Sequence, residues 1–201
     1  MAVLNSPQPH ERHQFYQSQS TGNVVSALQE ARLAREQARS YRNFKVGAAI
    51  VGLTFLSREL SLFTGYNIKP AADSHINIHA EELALQAAHA EKIDAVSLVT
   101  IVGDTQLDQQ SGREMLTLHP CGLCRNALDD DPLVLNDSTL VFSALPDFST
   151  VEYGTVNDFT HYHHADPGES VRLRQLSLPP IDNILPTDPA YIDVLNRRFS
   201  A

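Results

Sequence analysis

Two short segments of the chain combine residue types that bind zinc and move protons. The first is His79-Ala80-Glu81, and the second is Pro120-Cys121-Gly122-Leu123-Cys124. One imidazole and two thiolates give zinc three protein ligands and leave a fourth position open for water. The only two cysteines in the 201 residues stand in this pattern. The sequence therefore predicts a zinc site formed by His79, Cys121 and Cys124.

Glu81, two residues after His79, is the expected proton carrier at this zinc. A zinc ion with three such ligands is a Lewis acid that lowers the pKa of its water to about 7. Glu81 could take a proton from that water, pass it to a ring nitrogen of a substrate, and then protonate a departing amine. The pattern H-x-E followed by P-C-x-x-C is typical of zinc deaminases. It suits the hydrolytic replacement of an exocyclic amine on a heteroaromatic ring.

Both segments are expected to begin helices that hold the ligands side by side. Cys121 and Cys124 are three residues apart, so one helical turn brings their sulfur atoms to one side. The partial positive charge of a helix N-terminus stabilises thiolates, and Arg125 would add to that field or hydrogen-bond a cysteine sulfur. His79 precedes an Ala- and Leu-rich run of high helical propensity, which predicts a second helix over Ala80–Glu91.

Two other interpretations of the cysteine pair remain open. A fourth protein ligand would make the zinc structural, and Cys-x-x-Cys alone is also a redox motif. A redox pair would not explain the His-Ala-Glu segment before a helix, and a structural zinc has no use for the acid–base group of Glu81. The pattern therefore favours a catalytic zinc.

Composition and charge narrow the class of protein further. A chain of 201 residues that is 42% hydrophobic predicts one domain with extensions. The net charge of −9 argues against nucleic acid as a partner, because phosphate binding normally needs a basic surface. No cysteine remains for a disulfide, no apolar run approaches the roughly 18 residues of a membrane span, and residues 1–20 do not resemble a signal peptide. The expected location is the cytoplasm, with no membrane contact.

The hydrophobic pattern predicts an α/β domain. Asn23 is expected to cap a helix that extends to about Ser40. Apolar runs predict four strands, which are Lys45–Leu53, Leu60–Tyr66, Ala95–Gly103 and Ser138–Leu145. Helices and strands in this order make a three-layer α-β-α sandwich.

Several charged and aromatic groups lie outside the motifs. Four arginines lie roughly on one face of the predicted first helix, and they are Arg32, Arg35, Arg39 and Arg42. This face is expected to be exposed to solvent, and a contact with a substrate or partner is the alternative. His119 is expected at the surface. Three clustered histidines are expected in a polar loop rather than at a second metal site, and they are His161, His163 and His164. The long polar segment 104–119 is typical of a lid or an interface element.

Two further motifs make the chain resemble the cytidine deaminase family. Phe44–Ala49 (FKVGAA) is similar to that family's Phe-x-Val-Gly-Ala-Ala strand, and Thr64–Asn67 (TGYN) is similar to the end of its second strand. The metal motifs at His79–Glu81 and Pro120–Arg125 match as well. The resemblance covers about residues 23–145. It implies a mixed sheet of about five strands with helices on both faces.

The resemblance also implies an activity and a set of contacts. The activity is zinc-dependent hydrolysis of cytidine, deoxycytidine or a related nucleoside to the uridine product and ammonia. Phe44 would pack against the pyrimidine ring, Asn67 would hold the sugar 3′-hydroxyl, and the backbone of Ala80 would read the polar edge of the ring. A homodimer or homotetramer is implied, with Tyr191 or Phe199 closing a neighbouring subunit's site.

Lys69 departs from the family pattern. The family normally has a glutamate two residues after the sugar-binding asparagine, and this chain has a lysine there. A lysine at this position either points to solvent or suits a carboxylate or a phosphate on the substrate. Two alternatives to plain cytidine deamination therefore stay open. One is a deaminase of a modified or anionic cytosine nucleoside, such as an antibiotic or a nucleotide, and the other is a non-catalytic protein stabilised by zinc.

The ends of the chain are expected to lie outside the catalytic domain of residues 23–145. Residues 1–22 are predicted to form a flexible arm. Residues 146–201 are predicted to form an extension that packs on the domain or on a neighbouring subunit. Its proline-rich part predicts irregular structure.

Overall fold

The computed structural model describes residues 21–54, 57, 59–106, 115–165 and 173–176. Four helices are present in this part of the chain, α1 (Thr21–Arg35), α2 (Ala80–Ala90), α3 (Gly122–Asp129) and α4 (Val156–His164). The eight strands are β1 (Arg39–Ser40), β2 (Val46–Thr54), β3 (Glu59–Tyr66), β4 (Ile68–Lys69), β5 (Ala95–Gly103), β6 (Leu140–Ala144), β7 (Val151–Thr155) and β8 (Arg174–Leu176). None of these helices combines the length and the apolar character that a membrane-spanning helix requires.

Six of the strands form one mixed sheet in the order β3-β2-β5-β6-β7-β8. The β5–β6 pair is parallel, and the other neighbours are antiparallel. Every residue of β5 is buried, as expected of a Val-rich strand covered on both faces. The predicted three-layer α/β fold with a mixed sheet is confirmed, with six described strands in the main sheet instead of about five.

Helices pack on both faces of the sheet. Helix α1 covers one face, and α2, α3 and α4 lie on the other. A glycine allows a close approach on each face. A Cβ atom on Gly47 would lie 1.9 Å from the Ala31 carbonyl oxygen of α1, and one on Gly65 would lie 2.1 Å from the Ala80 carbonyl oxygen of α2. The N-terminus of α2, which carries the predicted His79 and Glu81, is thereby seated directly on β3.

The first helix is shorter than its periodicity predicts. It begins at Thr21 and ends at Arg35, whereas the prediction ran from Asn23 to about Ser40. Residues 39–40 instead form β1, which pairs in parallel with β4 in a separate two-stranded ribbon. Tertiary pairing overrides local propensity there. Arg39 and Arg42 therefore do not lie on the helix.

The chain after residue 145 adds two more strands, β7 and β8, to the edge of the same sheet. The prediction of a polar loop for His161, His163 and His164 is wrong, because all three lie on α4. A capping box between Thr155 and Asp158 starts this helix. The proposed arm 1–22 lies outside the described residues apart from the start of α1, and so does the segment Tyr191–Phe199.

Candidate metal centre and active site

A cavity of about 500 Å³ opens where four parts of the structure meet. These are the β1–β4 ribbon, the start of β2, the N-termini of α2 and α3, and the segment before Cys121. The residues lining it include His79, Ala80, Glu81 and Cys121. Two motifs 40 residues apart in sequence thus contribute to one cavity.

The predicted metal ligands lie together, and two of them, His79 and Cys121, line this cavity. His79 Nδ1 is 3.3 Å from the sulfur of Cys121 and 3.3 Å from that of Cys124. The two sulfurs are 3.5 Å apart. All three ligand atoms lie within 4.8 Å of one another, a spacing that could hold a metal ion. In the described part of the chain, this is the one group of three or more such side chains.

Helix starts place these ligands. His79 is the N-cap residue of α2, and Cys121 is the N-cap residue of α3. Both have extended backbone angles, and neither makes a side-chain capping hydrogen bond. The side-chain amide of Asn77 lies 3.2 Å from His79 Nε2, so the ring nitrogen that faces away from the sulfurs also has a partner. Such a contact fixes the orientation of a metal-binding imidazole.

The electrostatics of the two thiols fit a divalent cation. The hydrogen bond from Cys124 lowers the pKa of Cys121 to about 3, and the same contact raises the pKa of Cys124. Two thiolates at this separation repel each other, so without a cation the pair retains a proton. A bound zinc ion removes that penalty, because thiolate is the form that coordinates metal.

Glu81 occupies the first turn of α2 and is only 6% exposed. Burial raises the pKa of its carboxyl group. Its side chain nonetheless lines the cavity beside His79 and Cys121. A buried carboxyl group with a raised pKa is suited to hold a proton and to release it.

The residues expected around a substrate also border the cavity. Phe44, Asn67, Lys69 and Ala80 all line it. Asn67 Oδ1 accepts a 2.8 Å hydrogen bond from the Val46 N–H, and Asn67 Nδ2 donates one of 2.8 Å to the Phe44 carbonyl oxygen. The side chain of Asn67 is therefore fixed in orientation by the start of β2.

Comparison with known proteins gives the family. Residues 23–130 match the family model described as "Cytidine and deoxycytidylate deaminase zinc-binding region". The chain belongs to this family. Among solved structures it is similar to cytidine deaminase from Burkholderia pseudomallei, at 25% identity and a TM-score of 0.53, covering 67% of this chain and 94% of that chain. Cytidine deaminase from Mycobacterium leprae matches at 21% identity and a TM-score of 0.44, covering 67% and 93%. No curated protein sequence matches significantly.

Membership of a zinc-binding deaminase family confirms the expected cofactor. His79, Cys121 and Cys124 are the described residues that could hold the zinc ion. Arg125, expected to support the cysteines, is 7% exposed and its Nη1 donates a 2.8 Å hydrogen bond to the Pro120 carbonyl oxygen. It therefore contacts the backbone that leads into Cys121.

Three residues of the deaminase cavity were missed by sequence reasoning. Arg42 is exposed to solvent, as expected, but it also lines the cavity because the chain leaves α1 early and forms β1. His119 was expected at the surface, and this is wrong, since only 4% of it is exposed. His163 is 8% exposed and contacts His119 from α4. The position of His119 two residues before a metal ligand was the one available signal for it.

Proposed function

We propose that the protein is a zinc-dependent deaminase that hydrolyses a cytosine nucleoside to the uridine nucleoside and ammonia. The observation that carries this proposal is Glu81, a buried carboxyl group that lines the same cavity as the metal ligands His79 and Cys121. A purely structural zinc would give no reason to bury an acid–base group beside its ligands, because burying a carboxyl group is costly.

The protein's own groups have defined tasks in this reaction. His79, Cys121 and Cys124 would hold the zinc ion. When bound, this ion would act as a Lewis acid and would activate a water molecule. Glu81 accepts a proton from the water and delivers it to the ring nitrogen next to the reacting carbon. It then carries the second proton to the amino group, which leaves as ammonia. One water molecule is consumed, and its oxygen becomes the carbonyl oxygen of the product.

The remaining side chains of the cavity would place the base and the sugar. Phe44 is half-buried at the wall and would pack on the pyrimidine ring. Helix α2 has no side-chain cap at His79, so the N–H of Ala80, which lines the cavity, would bind the polar edge of the base. Asn67 retains one amide hydrogen and one lone pair beyond its two backbone bonds, and these would bind a sugar hydroxyl.

A second candidate is deamination of a cytosine nucleoside that carries an anionic group. Lys69 and Arg42 both line the cavity, and neither makes an ion pair with any residue in the described part of the chain. Among the described lining residues, Glu81 is the one carboxylate. A phosphate or carboxylate on the substrate would supply the counter-charge that these two cations lack.

A panel of substrates tests both candidates. The zinc-loaded protein would be given cytidine, deoxycytidine, cytosine, the two monophosphates, aminoacylated cytosine nucleosides and adenosine, with ammonia release and the change in ultraviolet absorbance as readouts. Turnover of cytidine or deoxycytidine supports the first candidate. Preference for an anionic compound supports the second. Absence of turnover on every compound would favour a non-catalytic zinc protein and overturn the proposal.

We also propose that the protein assembles as a homodimer or homotetramer. Large apolar side chains are exposed close to the site in sequence. Leu123 lies between the two cysteines at 69% exposure, and Ile76 lies three residues before His79 at 51%. A contiguous patch of exposed apolar groups is typical of a contact surface, and we infer that these two side chains contribute to one. Light scattering of the purified protein measures the mass, and a monomer at working concentration would contradict the proposal.

A further inference from the structure

A buried carboxylate on β7 reaches the segment that precedes the metal-binding cysteines. Glu152 is 3% exposed and lies beyond residue 130, where the family match ends. Its Oε2 accepts three hydrogen bonds. The Thr117 N–H donates one of 3.0 Å, the Thr117 hydroxyl donates one of 2.7 Å, and His119 Nε2 lies at 2.9 Å.

Residues 117–120, which we call the approach segment, each make a hydrogen bond to a side chain of another element. The Ser143 hydroxyl donates to the carbonyl oxygen of Leu118, and Arg125 donates to that of Pro120. These contacts reach the segment from β6 and from α3. Glu152 binds the other two positions, and Cys121 follows directly after the segment.

Helix α4 also contacts the approach segment, through the ring of His119. The ring of His119 lies edge-on to Phe159 and Tyr162, at centroid distances of 5.0 and 4.9 Å. His163 Nε2 is 3.2 Å from His119 Nδ1. Both nitrogens of the His119 ring therefore have partners, and the ring cannot turn without breaking one of the two contacts.

Loss of the Glu152 carboxylate would release the approach segment. The Thr117 N–H would be left buried without an acceptor, which is unfavourable because a buried donor without a partner has lost its hydrogen bonds to water. The segment would then move to find another partner. A metal site tolerates little movement of this kind, because its ligand atoms must stay within about 0.2 Å of their coordination distances.

We propose that Glu152 is a positioning residue for the zinc site, which holds Cys121 in place through Thr117 and His119. A part of the chain beyond the matched family region thereby contributes to zinc affinity. The proposal rests on the metal centre described above and not on the identity of the substrate. A failed substrate panel would leave it intact, and its own failure would leave the proposed reaction intact.

The test measures zinc affinity by competition with a chelator, together with the absorption spectrum of the cobalt-substituted protein. Glu152→Ala is expected to bind zinc about tenfold more weakly, the lower end of the range for groups that support metal ligands. Its cobalt spectrum should change in the thiolate bands. Glu152→Gln should recover part of the affinity, because its amide oxygen can still accept from Thr117.

Two further variants separate positioning from general stability. Thr139 is fully buried just before β6, where its hydroxyl donates to the Val96 carbonyl oxygen and accepts from the Leu135 N–H. Thr139→Val removes both hydrogen bonds and should lower the melting temperature with unchanged zinc affinity. Thr117→Val removes only the hydroxyl contact and should weaken zinc binding by a few-fold, even if Glu152→Ala does not fold. Wild-type affinity in the Glu152 or Thr117 variants, or an equal loss in Thr139→Val, would overturn the proposal.

Discussion

The helices that surround the cavity begin in two different ways. Helix α4 starts with a complete capping box, in which Thr155 accepts from the Asp158 N–H and Asp158 accepts from the Thr155 N–H. Helices α2 and α3 start at His79 and Cys121, and neither residue makes a side-chain capping bond. A good N-cap is worth about 0.5–2 kcal/mol. The two helix starts that face the cavity therefore give up local stability, and the start that faces away from it does not.

This difference distinguishes residues that stabilise the fold from residues that form the metal site. At α4 the first N–H groups are used within the helix. At α2 and α3 the N-cap side chains are predicted metal ligands, and the positive end of each helix lies at the cavity. Thiolates and a negatively charged or polar ligand both benefit from that arrangement.

The largest expected effect is loss of the metal. Cys121→Ala should reduce zinc from about one ion per chain to almost none, because two ligands do not retain zinc against solvent. Leu123→Ala is the matched control, since it changes an exposed residue between the two cysteines. Metal analysis of both purified variants is the measurement. Full zinc content in Cys121→Ala would remove that cysteine from the site.

Glu81→Gln should keep the zinc and lose turnover by roughly 10²–10⁴-fold, the usual contribution of one positioned acid–base group. The amide has similar size but cannot exchange protons. Glu82→Gln is the matched control, because the next helical position points about 100° away and Glu82 is exposed. Steady-state kinetics on the best substrate give the answer. Equal losses in the two variants would show that Glu81 has no special part in the reaction.

Lys69→Glu should change which substrate is preferred. If an anionic group binds at Lys69, the variant should lose about ten- to a hundredfold in kcat/KM for the anionic substrate relative to cytidine, the equivalent of a charged hydrogen bond of about 1.5–3 kcal/mol. Arg39→Glu makes the same change of charge on β1, the paired strand of the ribbon, at a residue that is not among those lining the cavity. Unchanged preference in Lys69→Glu would favour ordinary cytidine as the substrate.

The metal side of the cavity could be predicted from the sequence because it depends on residues that are close together in the chain. The spacing of Cys121 and Cys124 needs only one helical turn, and β5 is a continuous apolar run whose bounds were predicted as observed. The opposite wall depends on long-range pairing. The β1–β4 ribbon has two residues per strand, which is too short for a periodic signal, and it decides where Arg42 lies.

The burial of His119 was hidden for the same reason. Its partners Glu152 and His163 are 33 and 44 residues away in the chain, on elements that the sequence reading did not identify. The short strand β7 alternates weakly, and α4 follows it without a break, so neither stands out from the polar residues around it. A histidine beside a proline gives no indication of such partners until the sheet is assembled.

The smallest expected effects concern the helix starts themselves. Thr155→Ala should lower the free energy of unfolding by about 1 kcal/mol, with zinc affinity unchanged, because it removes only the cap of α4.

At α2 the comparison is between His79→Ser and His79→Ala, which both remove the imidazole and abolish tight zinc binding. The serine variant should be more stable than the alanine variant by about the same 1 kcal/mol in the metal-free state, since a hydroxyl can cap the N–H groups of the first turn. Denaturant unfolding of the three variants and the wild type is the measurement. Equal stability of the two His79 variants would mean that the start of α2 is not a vacant cap position, and that the contrast with α4 has another cause.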